Sequence, residues 1–316
     1  MIEKDYELLS LLFQKTDVEL KANLAVLLDK RYSNVKNTKK YLYAEGSLPV
    51  MLVAHLDTVF THPPEEIFYD APKGVMWSPQ GLGADDRAGV FAILKLIEAG
   101  FRPHILFTMD EEMGGLGANA FVNENPTPPK NLKFIIELDR RGDTDCVFYR
   151  CGNKDFHKFI ESYNFITKIG SFSDISTICP KWNIAGVNLS VGYQNEHEHI
   201  EFLKINSLFS TIKKTKEILQ YVKKNLKMKK FDFQENGYLY GSYYQFAQAF
   251  CSCQECGRPL YGYDGVEYVT KNGKFVEFCD ECFSMTKAEN TNWCEKCYYP
   301  FESDNKEDKI CYRCKN

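Results

Sequence analysis

Residues 49 to 60 read PVMLVAHLDTVF, and within them Val50 to Ala54 form an unbroken apolar run with turn-formers nearby. Such a run predicts a strand buried in a core. Around it the chain alternates helices with strands. Residues 2 to 29 carry helical apolar spacing (Leu8, Leu9, Leu11, Leu12, then Leu20, Leu24, Leu27, Leu28), and a strand is expected at 40 to 44. A Pro- and Gly-rich loop from 61 to 83 leads to a helix near 86 to 98, a strand at 104 to 109 and a helix near 116 to 124. Strands near 132 to 138, 145 to 149 and 185 to 191, with helices near 153 to 164 and 205 to 228, complete the pattern. The alternation predicts an α/β fold, a three-layer sandwich on a mostly parallel, mixed sheet. In such a sheet the ligand crevice lies beyond the carboxyl ends of the strands.

Those ends are polar. The first strand delivers His55 and Asp57; GLGADDRAG follows with Asp85 and Asp86; TMDEEMGG brings Asp110, Glu111 and Glu112; FIIELD ends in Asp139; and NEHEHIEFL brings His197 and His199. Imidazoles and carboxylates in this proportion suit zinc. Two zinc ions sharing a carboxylate can clamp both the attacking water and the carbonyl oxygen of a scissile bond. In the pair Glu111-Glu112, one carboxylate can bind metal while its neighbour takes a proton from water. Asp57, two residues along from His55 and on the same face, is placed to hold the imidazole in its metal-binding tautomer.

These motifs, in this order, resemble the co-catalytic zinc exopeptidase family of peptidase T, acetylornithine deacetylase and succinyl-diaminopimelate desuccinylase. The motifs are H-x-D after an apolar strand, GADDRAG, DEE-x-GG-x-GA, a strand-terminal Asp and H-x-x-x-E, and they span roughly residues 1 to 225. The resemblance implies a phosphorylase/hydrolase-like zinc peptidase core with two catalytic zinc ions. It implies His55 and Asp139 as ligands of one metal, Glu112 and His197 as ligands of the other, and Asp85 as the bridge, with a cis peptide between Asp85 and Asp86. Glu111 would be the general base and Asp57 the residue orienting His55; Ser173-Asp174 is similar to the family's substrate-side segment. Relatives carry a lid domain, often between the positions matching Asp139 and His197, and here that interval has room only for a helix and two strands. Without a lid the oxyanion donor is open among His62, His157 and Tyr193, and a wide cleft would admit a polypeptide as well as a short peptide. Arg140 and Arg141 are candidates for holding a substrate carboxylate, alongside an ordinary surface ion pair.

The tail has a different logic. Nine of the twelve cysteines fall between residues 251 and 314. Cys253-Cys256, Cys279-Cys282, Cys294-Cys297 and Cys311-Cys314 are C-x-x-C pairs, the spacing of two four-thiolate structural zinc sites, and Cys251 is the odd member. Sequential pairing gives two zinc ribbons; pairing first with third gives an interleaved finger. Cys146, Cys151 and Cys179 read as small buried apolar residues. The expected organisation is a hydrolase domain over 1–228, a connector over 229–250 and a zinc-ribbon module over 251–316. A net charge of −4, no basic and apolar leader and no membrane-length run predict a cytoplasmic protein without a membrane partner. The function expected is hydrolysis of peptide or other amide bonds. The alternative is a scaffold whose ribbons dock a protein or nucleic acid, helped by the lysines from Lys213 to Lys230, a stripe more often only a solvated helix face.

Overall fold

The computed structural model describes residues 3–149, 151–170 and 172–233, and in the C-terminal part 253–255, 265–271, 275–279, 282–283, 291–296, 300–303 and 305–315. The chain divides into two compact units, Met1–Tyr238 and Leu239–Asn316.

The first unit opens with two helices, α1 (Glu3–Phe13) and α2 (Asp17–Asp29), where helical spacing alone runs continuously. Thr16 divides them: its side chain accepts from the Glu19 amide and Glu19 reaches back to the Thr16 amide, a reciprocal cap that ends one helix and starts the next. Strands β1 (Val35–Asn37), β2 (Tyr41–Ala44), β3 (Leu48–His55), β4 (Phe68–Asp70) and β5 (Val75–Trp77) follow, then α3 (Ala84–Glu98), β6 (Pro103–Thr108), α4 (Leu116–Glu124), β7 (Phe134–Arg140) and β8 (Asp145–Val147). The unit continues through α5 (Lys154–Glu161), β9 (Ile166–Thr167), α6 (Asp174–Trp182), β10 (Gly186–Ser190), β11 (Tyr193–Gln194), β12 (Phe202–Lys204) and α7 (Ile205–Lys224).

Eight strands form one sheet in the order β1-β2-β6-β3-β7-β10-β8-β9. Its centre, β6-β3-β7-β10, is parallel, and antiparallel pairs flank it. Side chains of β3 alternate between two apolar layers: Val50, Leu52 and Ala54 join the cluster that includes α1, α3 and α7, while Met51 and Val53 join the one that includes α4 and α6. This is the three-layer sandwich, and it explains why the run is apolar at every position. Each fully buried Val or Leu there contributes about 1.5–3 kcal/mol.

Three features differ from the sequence expectation. A second sheet, β11-β12-β5-β4, uses part of the loop expected over 61–83. Residues 174–182 form α6 although Pro180 lies inside it. Between Asp139 and His197 the chain holds more than the helix and two strands expected: β8, β9 and β10 join the main sheet, β11 the second one, and α5 and α6 the covering layers, so that interval holds no separate lid domain among the described residues. No helix of the described residues is long and apolar enough to cross a membrane.

In the second unit, β13 (Gly265–Val269), β14 (Phe275–Cys279), β15 (Thr291–Trp293) and β16 (Pro300–Glu302) form a four-stranded sheet ordered β14-β13-β16-β15.

Candidate metal centre

His55 ends β3 at the carboxyl edge of the sheet and is 2% exposed. Its Nδ1 lies 3.0 Å from the Asp57 carbonyl oxygen and 3.6 Å from Asp57 Oδ1. The backbone carbonyl is therefore the closer orienting acceptor, a refinement of the expected carboxylate contact. The Asp57 carboxylate is engaged elsewhere, with Oδ2 accepting from the Glu112 amide at 3.1 Å. Through that bond Asp57 fixes the backbone of the Glu111-Glu112 segment.

With Nδ1 committed, His55 Nε2 faces Asp85 Oδ1 at 2.9 Å and Asp139 Oδ1 at 3.4 Å. The other Asp85 oxygen, Oδ2, lies 3.3 Å from His197 Nε2, which is 3.0 Å from Glu112 Oε1. One carboxylate thus spans two imidazoles from strand ends far apart in sequence. Asp85 is held from behind, because buried Glu201 accepts from the amides of Ala84 and Asp85, both at 3.0 Å. The Asp85-Asp86 peptide is cis. Asp86 turns inward, accepting from the Gly89 amide at 2.9 Å and the His55 amide at 3.3 Å.

Glu137, Asp139 and Asn188 supply a buried polar layer beneath the cluster. Asn188 Oδ1 accepts from the Asp139 amide at 2.9 Å, its Nδ2 donates to the Asp139 carbonyl at 2.7 Å, and Ser173 Oγ donates to Glu137. Tyr193 OH donates to Asp139 Oδ1 at 3.1 Å. That bond and its burial make Tyr193 a support for Asp139 in this structure. His157 stacks on Phe148 with ring centroids 3.6 Å apart, a packing role, and His62 lies at the rim of a cavity beside Asp57.

Neither Glu137 nor Asn188 stood out in the sequence reading. The available signal was a carboxylate inside FIIELD two positions before Asp139, hence on the same strand face.

The electrostatics are those of a crowded acidic site. Burial, with Asp139, Asp174 and Glu112 nearby, pushes the Glu111 carboxyl up to about 9 against the opposing effect of His55. Burial and the neighbouring Asp85 raise Asp139 to about 7. Hydrogen bonding to Asp85 and Glu112 raises His197 to about 10, and against the penalty of burial Asp139, Asp57 and Asp85 hold His55 well above its ordinary value. Concentrated negative charge of this kind is what a bound divalent cation neutralises.

The donor set fits metal. Asp85, Glu112 and His197 offer ligand atoms within 4.8 Å of one another, as do His55, Asp86 and Asp139, and His55, Glu111 and Glu112. Glu112 Oε1 is buried and its charged neighbour is His197 Nε2 at 3.0 Å, so the two offer their ligand atoms to one point.

The substrate-side residues fare differently. Asp174 is wholly buried and its carboxylate accepts from Thr108 Oγ1, so it has no surface to offer a substrate. This corrects the expectation: Asp174 opens α6 behind Glu111. Arg141 pairs with Glu196, as the ordinary surface reading has it. Arg140 donates to the Ile169 carbonyl at 3.4 Å, and its buried Nε has no partner.

In the second unit, Cys294, Cys311 and Cys314 bring their sulfurs within 4.8 Å, and the Cys311 amide donates to Cys294 Sγ at 3.4 Å. Cys253 and Cys282 belong to a separate apolar cluster with Tyr268 and Phe278. Among the described residues, the cysteines whose sulfurs come together belong to the third and fourth C-x-x-C pairs. Cys251, Cys256 and Cys297 lie outside the described residues, and Cys279 ends β14.

Fold and site together support one class, a metal-dependent peptide hydrolase. The model of peptidase family M28 matches residues 38–164, a span that includes His55, Asp57, Asp85, Glu111, Glu112 and Asp139 and stops short of His197. No curated protein matches the chain. Among solved structures, a tripeptidase from Staphylococcus aureus is similar at 16% identity over 70% of this chain and 98% of that one, with a TM-score of 0.55. The aminopeptidase PepT from Bacillus cereus follows at 15% over 70% and 98%, TM-score 0.53. A TET aminopeptidase from a marine sediment Thaumarchaeota archaeon matches at 13% over 71% and 100%, TM-score 0.51. At these identities the likeness shows the fold.

Proposed function

We propose that residues 1–228 form a co-catalytic di-zinc peptidase that hydrolyses peptide or closely related amide bonds, of aminopeptidase type as in the similar structures. The observation that carries this reading is the Asp85 carboxylate, whose two oxygens each face the Nε2 of a different histidine, His55 and His197. In this reading His55 and Asp139 hold one zinc, Glu112 and His197 the other, and Asp85 bridges them. Zinc there would polarise the scissile carbonyl and acidify the attacking water.

The chain's own residues supply the proton traffic. Glu111 takes the proton of the attacking water and hands it to the leaving amine. A carboxyl pushed up to about 9 by burial and neighbouring acids binds protons readily, and added cationic charge would bring it down toward the operating range. Asp57 acts as a positioning residue through the Glu112 amide and His55. Arg140, half-buried at the end of β7, remains the residue proposed to meet a substrate carboxylate; Arg141 is engaged by Glu196.

In the tail, residues 251–316 are proposed to hold two structural zinc ions in sequential four-cysteine sites joined to the hydrolase by 229–250. Clustered thiols kept for metal suit a reducing cytoplasm.

Replacing Glu111→Gln tests the assignment. The variant should retain its metal while peptide turnover falls by about 10²–10⁴-fold, the usual contribution of a general base. Unchanged turnover at full metal content would remove Glu111 from this role.

A further inference from the structure

Between β9 and α6 a strap of chain crosses beside the metal cluster, pinned along its length. Arg140, the residue after Asp139, donates from Nη2 to the Ile169 carbonyl at 3.4 Å. A methyl group built on Gly170 would lie 2.7 Å from the Tyr149 ring, and one built on Gly115 would lie 2.6 Å from Phe172 Cζ. The strap therefore rests directly on both. Gly115 belongs to the turn that carries Glu111 and Glu112, since its amide and that of Gly114 both donate to the Glu111 carbonyl at 2.9 Å. Past Phe172, Ser173 donates to Glu137, and the Asp174 carboxylate accepts from Thr108, the partner of His55 in the β3-β6 register. One short segment thus runs from the end of β7, just past Asp139, to the turn of the proposed general base.

What this segment leaves in water is apolar. Ile169 is 60% exposed and Phe172 42%, and Met113, on the turn that Phe172 touches, is 72% exposed. A methyl group built on Gly114 would meet nothing within 4 Å, so there is free room over the same turn. Scattered single exposed apolar residues are ordinary, whereas large ones gathered at the lip of a site mark a binding surface. The backbone beneath Ile169 and Phe172 is already fixed, so a group packing on them orders little that was free. Continuity with the cluster identifies the occupant: a molecule seated between Glu111 and Asp139 has its flank against the strap.

We propose that Ile169, Phe172 and Met113 form the specificity wall of the site and select peptides whose N-terminal residue, the one that supplies the scissile carbonyl, carries a large apolar side chain. The inference rests on the aminopeptidase reading and narrows it to a substrate class. The three residues touch the side chain of the substrate and no reacting atom. A charged side chain there would give up its hydration against apolar surface without a partner, and alanine would leave the wall wet.

The test takes the metal-loaded full chain and the tripeptides Leu-Ala-Ala, Ala-Ala-Ala and Glu-Ala-Ala, with kcat/KM read from release of the N-terminal residue. Leu-Ala-Ala should exceed Ala-Ala-Ala by about tenfold or more, and Glu-Ala-Ala by a wider margin. Ile169→Ser and Phe172→Ser should each bring the Leu/Ala ratio down to about threefold or less, while Phe172→Leu keeps it and Ile169→Lys raises Glu-Ala-Ala against Leu-Ala-Ala. A ratio unmoved by both serine variants, even where every substrate slows together, would reduce the two residues to packing and overturn the proposal. A parent that self-associates and turns monomeric in Ile169→Ser at an unchanged ratio would also overturn it, because the patch is then a contact between copies. If the parent cleaves none of the peptides, the aminopeptidase reading falls and calorimetric binding of the same peptides decides the wall by itself. Tighter binding of Leu-Ala-Ala than of Ala-Ala-Ala, lost in Phe172→Ser, would uphold the wall; equal binding would overturn it.

Discussion

Glu201 is the residue through which the architecture of the cluster can be tested most sharply. It is 1% exposed, and its two carboxylate oxygens accept separately from the Ala84 and Asp85 amides, each at 3.0 Å. Replacement Glu201→Ala strands both donors in the interior. A buried unsatisfied donor costs about 1–3 kcal/mol, so the pair should cost about 2–6 kcal/mol, toward the lower figure if water enters the space. Glu201→Gln keeps one acceptor oxygen and presents an amide that cannot accept, so it should lose about half as much. Urea unfolding followed by far-UV circular dichroism isolates the effect, because the described helices of eight or more residues all belong to the first unit. With a urea slope of about 1–3 kcal/mol per molar, the alanine midpoint should drop by about 0.7 M or more. Metal content should drop with it, since the same amide fixes the Asp85 backbone. A shift below about 0.3 M with metal retained would show that Glu201 does not hold the bridge, and the reasoning from its two hydrogen bonds would fail.

Two further predictions follow from neighbouring groups. In the metal-free chain Asp139 and Glu111 titrate at about 7 and 9 and His197 at about 10, so at neutral pH these groups hold protons that a metal must displace. Apparent zinc affinity should therefore fall as pH drops through that range, with net proton release at pH 7; calorimetry in buffers of different ionisation enthalpy measures it, and no release would contradict the charge argument. At Gly89 an added Cβ would lie 1.8 Å from the Leu138 carbonyl and 2.5 Å from both Asp86 oxygens. Gly89→Ala should destabilise by about 1–3 kcal/mol or more through overpacking and lower metal content, whereas a thermal midpoint equal to the parent's would show that α3 can shift away from β7 freely.

What the sequence made legible was whatever depends on short-range pattern. The apolar run of β3, the polar strand ends and the DD turn that opens α3 follow from residues adjacent in the chain. The break at Thr16 was missed, because continuous leucine spacing runs across it, although T-x-x-E spells its cap. Three kinds of feature stayed hidden. Strands of two or three residues such as β11, β12 and β5 are too short to show a period. The helix α6 carries Pro180 and does not announce itself by propensity. The role of Asp174 depends on Thr108, sixty-six positions earlier, which closes over its carboxylate and removes it from substrate.

Glu137 and Asn188 show why the polar layer beneath the cluster sits on one face of the sheet. Along β7, Phe134, Ile136 and Leu138 pack into the layer of α3 and α7, while Ile135 faces the layer of α4 and α6. Glu137 and Asp139 therefore continue the face of Ile135, and on β10 the apolar Val187 and Leu189 leave Asn188 on that same face. The face toward α3 and α7 stays apolar to the ends of the strands and carries the hydrophobic stabilisation, while the opposite face turns polar over its last residues. A buried carboxylate such as Glu137, pushed well above its ordinary value by burial and by Asp139, is tolerable there because Ser173 at the start of α6 donates to it. Asn188 then ties Ser173 to the Asp139 backbone, so α6 braces a ligand strand as well as covering the sheet. Displacing α6 should consequently disturb Asp139 before it disturbs His55, whose ring is fixed by its own strand end.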